Sequence, residues 1–108
     1  MNVFNEKDLV TLKVSNFKDD KGVALTPGQI TALWYRVDEK ASGTNQVPQT
    51  NVTPADPVYF VIQPAQNVMV NAALDREIVE ITYHFEWGPN TGKTKTVQFQ
   101  RNNLKFFS

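Results

Sequence analysis

The stretch REIVEITYHFEWG, Arg76–Gly88, alternates apolar and polar residues more cleanly than any other part of the chain. Val79, Ile81, Tyr83, Phe85 and Trp87 fall on one parity. Glu80, Thr82, His84 and Glu86 fall on the other. Successive side chains of an extended chain point to opposite faces, so a period of two marks a strand with one buried face. GPNTGK, residues 88–93, is rich in turn formers. Residues 94–101 then repeat the alternation, with Val97 and Phe99 inward and Thr94, Thr96, Gln98 and Gln100 outward. The two segments read as a β-hairpin.

The same period runs through the rest of the chain. In VTLKVSNF, Val10, Leu12 and Val14 oppose Thr11, Lys13 and Ser15. DDKG, residues 19–22, is a turn, because Asp initiates it and Gly accepts a positive φ. LTPGQ, residues 25–29, is a second break. ITALWYRVD, residues 30–38, is β-branched, aromatic and apolar on both sides, which predicts a central strand. Of the neighbours Trp34 and Tyr35 one faces the core, and the parity shared with Ile30 and Ala32 selects Trp34. Residues 39–57 are polar, interrupted by Pro48, Pro54 and Pro57, with room for a short edge strand at 46–49. VYFVI, Val58–Ile62, is a strand stopped by Gln63 and Pro64. Ala72, Ala73 and Leu74 allow one helical turn, and nothing there supports a long helix.

Bulk composition narrows the setting. The 108 residues fit one domain, residues 1–108, and 41% hydrophobic content allows a real core. Eleven basic and eleven acidic residues cancel. A dedicated nucleic-acid binder or a protein attracted to anionic membrane normally carries a basic excess, so neither partner is expected. With no cysteine, disulfides, thiolate chemistry and Cys-based zinc sites are excluded, which favours folding in a reducing cytoplasm. MNVFNEKDLV shows no basic region followed by an apolar run, so neither a signal peptide nor a membrane span is expected.

No chemistry-bearing constellation stands out. His84 shares its parity with Glu80 and Glu86, but one imidazole and two carboxylates on a flat strand close poorly around an ion. A solvated sheet face is the expected reading, and no metal or cofactor is expected. Ser15, Ser42 and Ser108 lie outside any Gly-x-Ser-x-Gly turn. The acidic pairs Asp19-Asp20 and Asp38-Glu39 sit at strand ends, where acids solvate turns. All five glycines read as turn residues, with no phosphate-cradling loop. No acid follows Glu86, while Lys93, Lys95, Arg101 and Lys105 do, so the last strand and tail are locally basic. Candidate contact residues are the apolar side chains outside the expected ladder, Phe4, Leu104, Phe106 and Phe107, together with Tyr35 and Tyr59 as exposed aromatics.

The middle of the chain resembles a family of small bacteriophage proteins. The likeness rests on Trp34, Tyr35, Arg36, Val37 and Asp38, then Ser42-Gly43, then Ile62, Pro64 and Asn67, followed by a β-branched strand. The segment QPAQNVMVNAALDRE is longer than the polar turn usual in such proteins. The resemblance implies an immunoglobulin-like sandwich in a minor virion component: head decoration, neck, tail or baseplate. It brings no catalytic residues.

Together these readings predict an all-β, immunoglobulin-like (fibronectin-III-like) sandwich of roughly seven antiparallel strands with short terminal arms. Its core would be Val10, Leu12, Val14, Ile30, Trp34, Phe60, Ile62, Val79, Ile81, Tyr83, Phe85, Val97 and Phe99. The expected role is non-enzymatic: a virion protein made in the host cytoplasm, which binds other virion proteins and copies of itself in a symmetric assembly. The alternative is a carbohydrate-binding module that stacks a host-surface glycan on Tyr35 or Tyr59. A small enzyme would have to depend on His84.

Overall fold

The computed structural model describes residues 1–107; the side chain of Phe107 and all of Ser108 lie outside the described residues. Seven strands are present among them: β1 (Asn2–Asn5), β2 (Val10–Val14), β3 (Ala32–Glu39), β4 (Asn45–Asn51), β5 (Val58–Ile62), β6 (Arg76–Gly88) and β7 (Thr91–Asn102). A single short helix, α1 (Leu104–Phe107), follows. One sheet has five strands in the order β1-β7-β6-β3-β4, and the other pairs β2 with β5. β1 runs parallel to β7, and every other pairing is antiparallel.

The long hairpin sets the shape. Thirteen residues of β6, at about 3.3 Å each, account for most of the 46 Å long axis. Its turn is Pro89-Asn90, where Asn90 takes the positive φ of 58° that Asn tolerates better than most residues. Gly88 closes β6 and Gly92 belongs to β7, contrary to the expectation that all the glycines are turn residues. From there the register holds without a slip from Glu86↔Gly92 to Arg76↔Asn102. β3 lies on the other side of β6, so β6 is the central strand.

The core is shared by the two sheets. Val10, Val58, Phe60 and Ile62 come from the smaller. Leu33, Tyr35, Val37, Val79, Ile81, Tyr83, Phe85 and Phe99 come from the larger. Phe60 has no exposed surface and sits between two rings, 4.9 Å from Tyr35 and 5.3 Å from Tyr83. Leu12 and Val14 pack partly buried against this cluster.

Four expectations are corrected here. On β3 the inward parity belongs to Leu33, Tyr35 and Val37, and Trp34 faces out. Ile30 is buried, but it caps the 3-10 turn Pro27–Gln29 and lies outside β3, so its burial does not set the parity of the strand. Val97 has the expected inward parity yet is 39% exposed, because the second layer is two strands wide over five and does not reach it. Phe4 is inside the ladder: β1 adds to the edge of β7, and the Phe4 ring meets Phe99 edge-on at 5.4 Å. Residues 71–74 form a simple turn closed by Leu74 N–H donating to the Asn71 carbonyl, not a helical turn.

Candidate contact surfaces

The outer face of the larger sheet is a lattice of paired polar side chains. Register places Trp34, Arg36 and Asp38 of β3 beside His84, Thr82 and Glu80 of β6, and these beside Thr94, Thr96 and Gln98 of β7. Arg36 Nε lies 3.1 Å from Asp38 Oδ2, Asn45 donates to Asp38 Oδ1 at 2.9 Å, and Gln98 donates to Glu80 at 2.9 Å. The Thr82 and Thr96 hydroxyls meet at 3.4 Å. The cross-strand pairs among these contribute roughly 0.2–1 kcal/mol each.

His84 is held on four sides. Its ring stacks on Trp34 at 5.4 Å and 27°. Nδ1 is in hydrogen-bond contact with Thr94 Oγ1 at 2.8 Å, and Nε2 lies 3.5 Å from Glu86 Oε2. Beneath it is Gly92, where a Cβ would stand only 2.9 Å from His84 Cε1. Hydroxyl, imidazole and carboxylate therefore line up. Among the described residues no three His, Cys, Asp or Glu side chains group so as to hold a metal ion.

The expected contact residues scatter. Tyr35 is buried, and its hydroxyl donates to the Val61 carbonyl at 2.8 Å, tying the two sheets together. Tyr59 is 52% exposed on the outer side of β5. Phe4 is half-buried on β1. Leu104 is half-buried and Phe106 exposed on α1, with Lys105 Nζ 5.7 Å from the Phe106 ring centre. The Phe107 side chain lies outside the described residues. No single patch unites them.

The cations of the last strand are likewise used singly. Lys93 donates to the Asp19 carbonyl at 2.7 Å. The Asp19 carboxyl is held below its usual range, chiefly by the Val23 N–H, with Lys93 contributing. Arg101, counted above among the cations of the last strand and tail, is among the most deeply buried side chains. It donates to Glu77 at 2.9 Å and to Asn67 at 3.3 Å, while its Nε has no partner among the described residues.

This buried polar cluster organises one end of the molecule. Glu77 also accepts from the Val70 and Asn71 N–H groups, and Asn67 donates to the carbonyls of Asn5 and Asp8. Residues 63–75, which have no strand of their own, are thereby fixed. Nearby Glu39 is buried. Burial pushes its carboxyl up, but the Ser42 hydroxyl, the Ala41 and Ser42 N–H groups and the Arg101 charge outweigh that and hold it below the ordinary value. A cleft of about 380 Å³ opens beside this cluster, between Lys40, Ala41, Leu74, Arg76 and Ile78, with Glu39 and Glu77 at its wall. Both carboxylates are already spent on internal donors.

The buried quartet of Glu39, Asn67, Glu77 and Arg101 escaped the sequence reading, although a signal for its centre existed. Arg101 continues the parity of Val97 and Phe99, Glu77 continues that of Val79 and Ile81, and the hairpin register pairs the two.

Among the described residues no helix is long and apolar enough to cross a membrane. Compared with protein-family models, with curated proteins and with solved structures, the chain finds no match.

Proposed function

We propose that this chain is a non-enzymatic contact module, an immunoglobulin-like sandwich that serves as a minor structural component of a bacteriophage particle. The observation that carries the contact reading is the narrow second layer. It leaves Val97 39% exposed on an inward-facing position and presents Leu9 and Tyr59, 58% and 52% exposed, on or beside its two strands. Apolar surface of this kind is what protein partners cover. The virion setting is supported by the motif resemblance, whose residues have structural work here: Ser42 is gripped by Glu39, and Asn67 ties the first turn to the buried cluster. Neighbouring virion proteins and further copies of the chain are the expected partners, within a symmetric assembly.

Protein identification in purified particles tests this. A fixed stoichiometry in the intact particle is the expected result. Recovery solely from the unassembled fraction, with light scattering giving a strict monomer, would sink the proposal.

A second reading, glycan binding, is favoured by one arrangement. Trp34 stacked on His84 offers an aromatic platform amid hydrogen-bonding side chains on a flat face, a role the buried Tyr35 cannot fill. A glycan array probed with the parent chain, Trp34→Ala and Tyr59→Ala separates the readings. Binding lost in either variant favours the sugar reader.

A further inference from the structure

We infer that the free edge of β2 accepts an extended segment of a partner protein as a third strand of the smaller sheet. The segment it fits is apolar on alternate residues and acidic between them. This rests on reading the chain as a contact module, and adds the place and the chemistry of the contact.

β2 is paired on one side only, with β5. In an antiparallel ladder alternate residues turn their N–H and C=O groups toward a given neighbour. Half of β2's backbone groups therefore face away from β5, and among the described residues no backbone hydrogen bond outside the ladder reaches them. An extended main chain is the ligand that matches such a row.

The other edges are each blunted. β4 carries Pro48 in mid-strand and breaks register with β3 twice. β5 is preceded by Pro57 and followed, after Gln63, by Pro64. β1 is four residues long. The part of β7 that β1 does not cover carries Lys93 and Lys95 on its inner face, charges that discourage further pairing. β2, Val-Thr-Leu-Lys-Val, has no proline, glycine, acid or register shift.

Beside that edge the seat is already shaped. A space of about 40 Å³ lies between Phe4, Val10, Leu12, Ile81, Val97 and Phe99, open to one apolar side-chain tip. A strand laid along β2 would rest its inward residues on Val97 and in this space. Lys13 faces outward on β2, and Lys95 lies two residues from Val97 on the same face of β7. Neither strand holds an acid. Carboxylates on the outward side of the incoming segment meet Lys13, the one charged residue of β2, whereas lysines there would be repelled by it.

The test uses a nine-residue synthetic peptide alternating valine with threonine and glutamate, titrated into the ¹⁵N-labelled chain. Saturable shifts at Thr11, Lys13 and Val97, with slowed amide exchange along β2, are expected. The same peptide with lysine for glutamate should bind at least tenfold more weakly, and a version N-methylated at alternate residues should not bind. Val97→Glu should weaken binding tenfold or more. Lys13→Glu, an exposed substitution that leaves the fold intact, should reverse the preference toward the lysine peptide. No saturable binding, shifts that spare β2, or indifference to both the peptide charge and Lys13→Glu would overturn the inference. Such failure leaves the particle experiment untouched. Conversely, a chain missing from particles but binding the peptide at β2 keeps the strand-accepting edge and loses the virion setting.

Discussion

Individual residues decide which face of the sheet is wet. Trp34 and Tyr35 are both large and aromatic, so hydrophobicity alone does not rank them. The deciding signal is polar: Arg36 and Asp38 share Trp34's parity and form an ion pair on the outer face, while Leu33 and Val37 share Tyr35's. His84 was legible as part of a solvated ladder, but its seat was not, because Gly92 reads as a turn glycine until the hairpin register is known. That seat makes a test. Gly92→Ala would force the imidazole off a Cβ only 2.9 Å from Cε1 and away from Trp34 and Thr94. A loss of about 1 kcal/mol is expected, in line with lost hydrogen bonding and stacking. In a His84→Ala background the same change should cost clearly less, only the Glu86 Cγ at 3.0 Å remaining in its way, as read by urea denaturation of all four chains. Equal losses in both backgrounds would show that the glycine serves the backbone and not the ring.

Elements add a layer that periodicity alone did not expose. Strands β2, β3, β5, β6 and β7 follow from alternation and turn residues, and the centre of β4 from the proline-broken edge expected at 46–49, which extends to Asn45–Asn51. The polar loop 63–75 resisted because its order comes from distant side chains: Asn67, Glu77 and Arg101 meet across three segments. Removing the cation should be severe. Arg101→Ala leaves the Glu77 carboxylate buried and uncompensated, an expected cost of about 3–5 kcal/mol, measured as a shift in the urea midpoint. A Glu77→Leu/Arg101→Met pair should recover only part of it, because Glu77 also accepts from the Val70 and Asn71 N–H groups. Acid acts on the same end. Glu39 titrates below its ordinary value of 4.5 in the folded chain, Asp75 is also lowered, and at the opposite end, beside the hairpin turn, so is Asp19. A depressed carboxyl adds stability that is complete above the unfolded value and is lost as pH falls through the folded one. Stability should therefore hold above about pH 5 and decline below about 4.5. Glu39→Gln should decline less steeply than the parent. Parallel acid curves would remove Glu39 from the account.

The whole molecule is a long hairpin with β3 and β4 on one flank, β1 on the other and a narrow layer laid over one face. Its all-β character and two-layer core were legible, since both rest on local alternation. The parallel β1 was not: four residues give too short a pattern, and their partner lies at the far end of the chain. That pairing governs kinetics. Contacts between distant segments require the intervening chain to be ordered first, whereas the β6–β7 hairpin closes locally. Phe4→Ala should cost on the order of 1–2 kcal/mol through the lost packing on Phe99, appearing almost wholly as faster unfolding with refolding unchanged. Stopped-flow measurement of both limbs would show this, and slower refolding would place β1 in the folding nucleus instead.

The same seam has a consequence during biosynthesis. A ribosome delivers β1 well before β7, the strand it must join. Until then residues 2–5 trail as an unclaimed ribbon, and Phe99 lacks the ring that covers it. A nascent chain stalled before β7 has emerged should therefore be cut more readily within β1 by a protease than the released protein is.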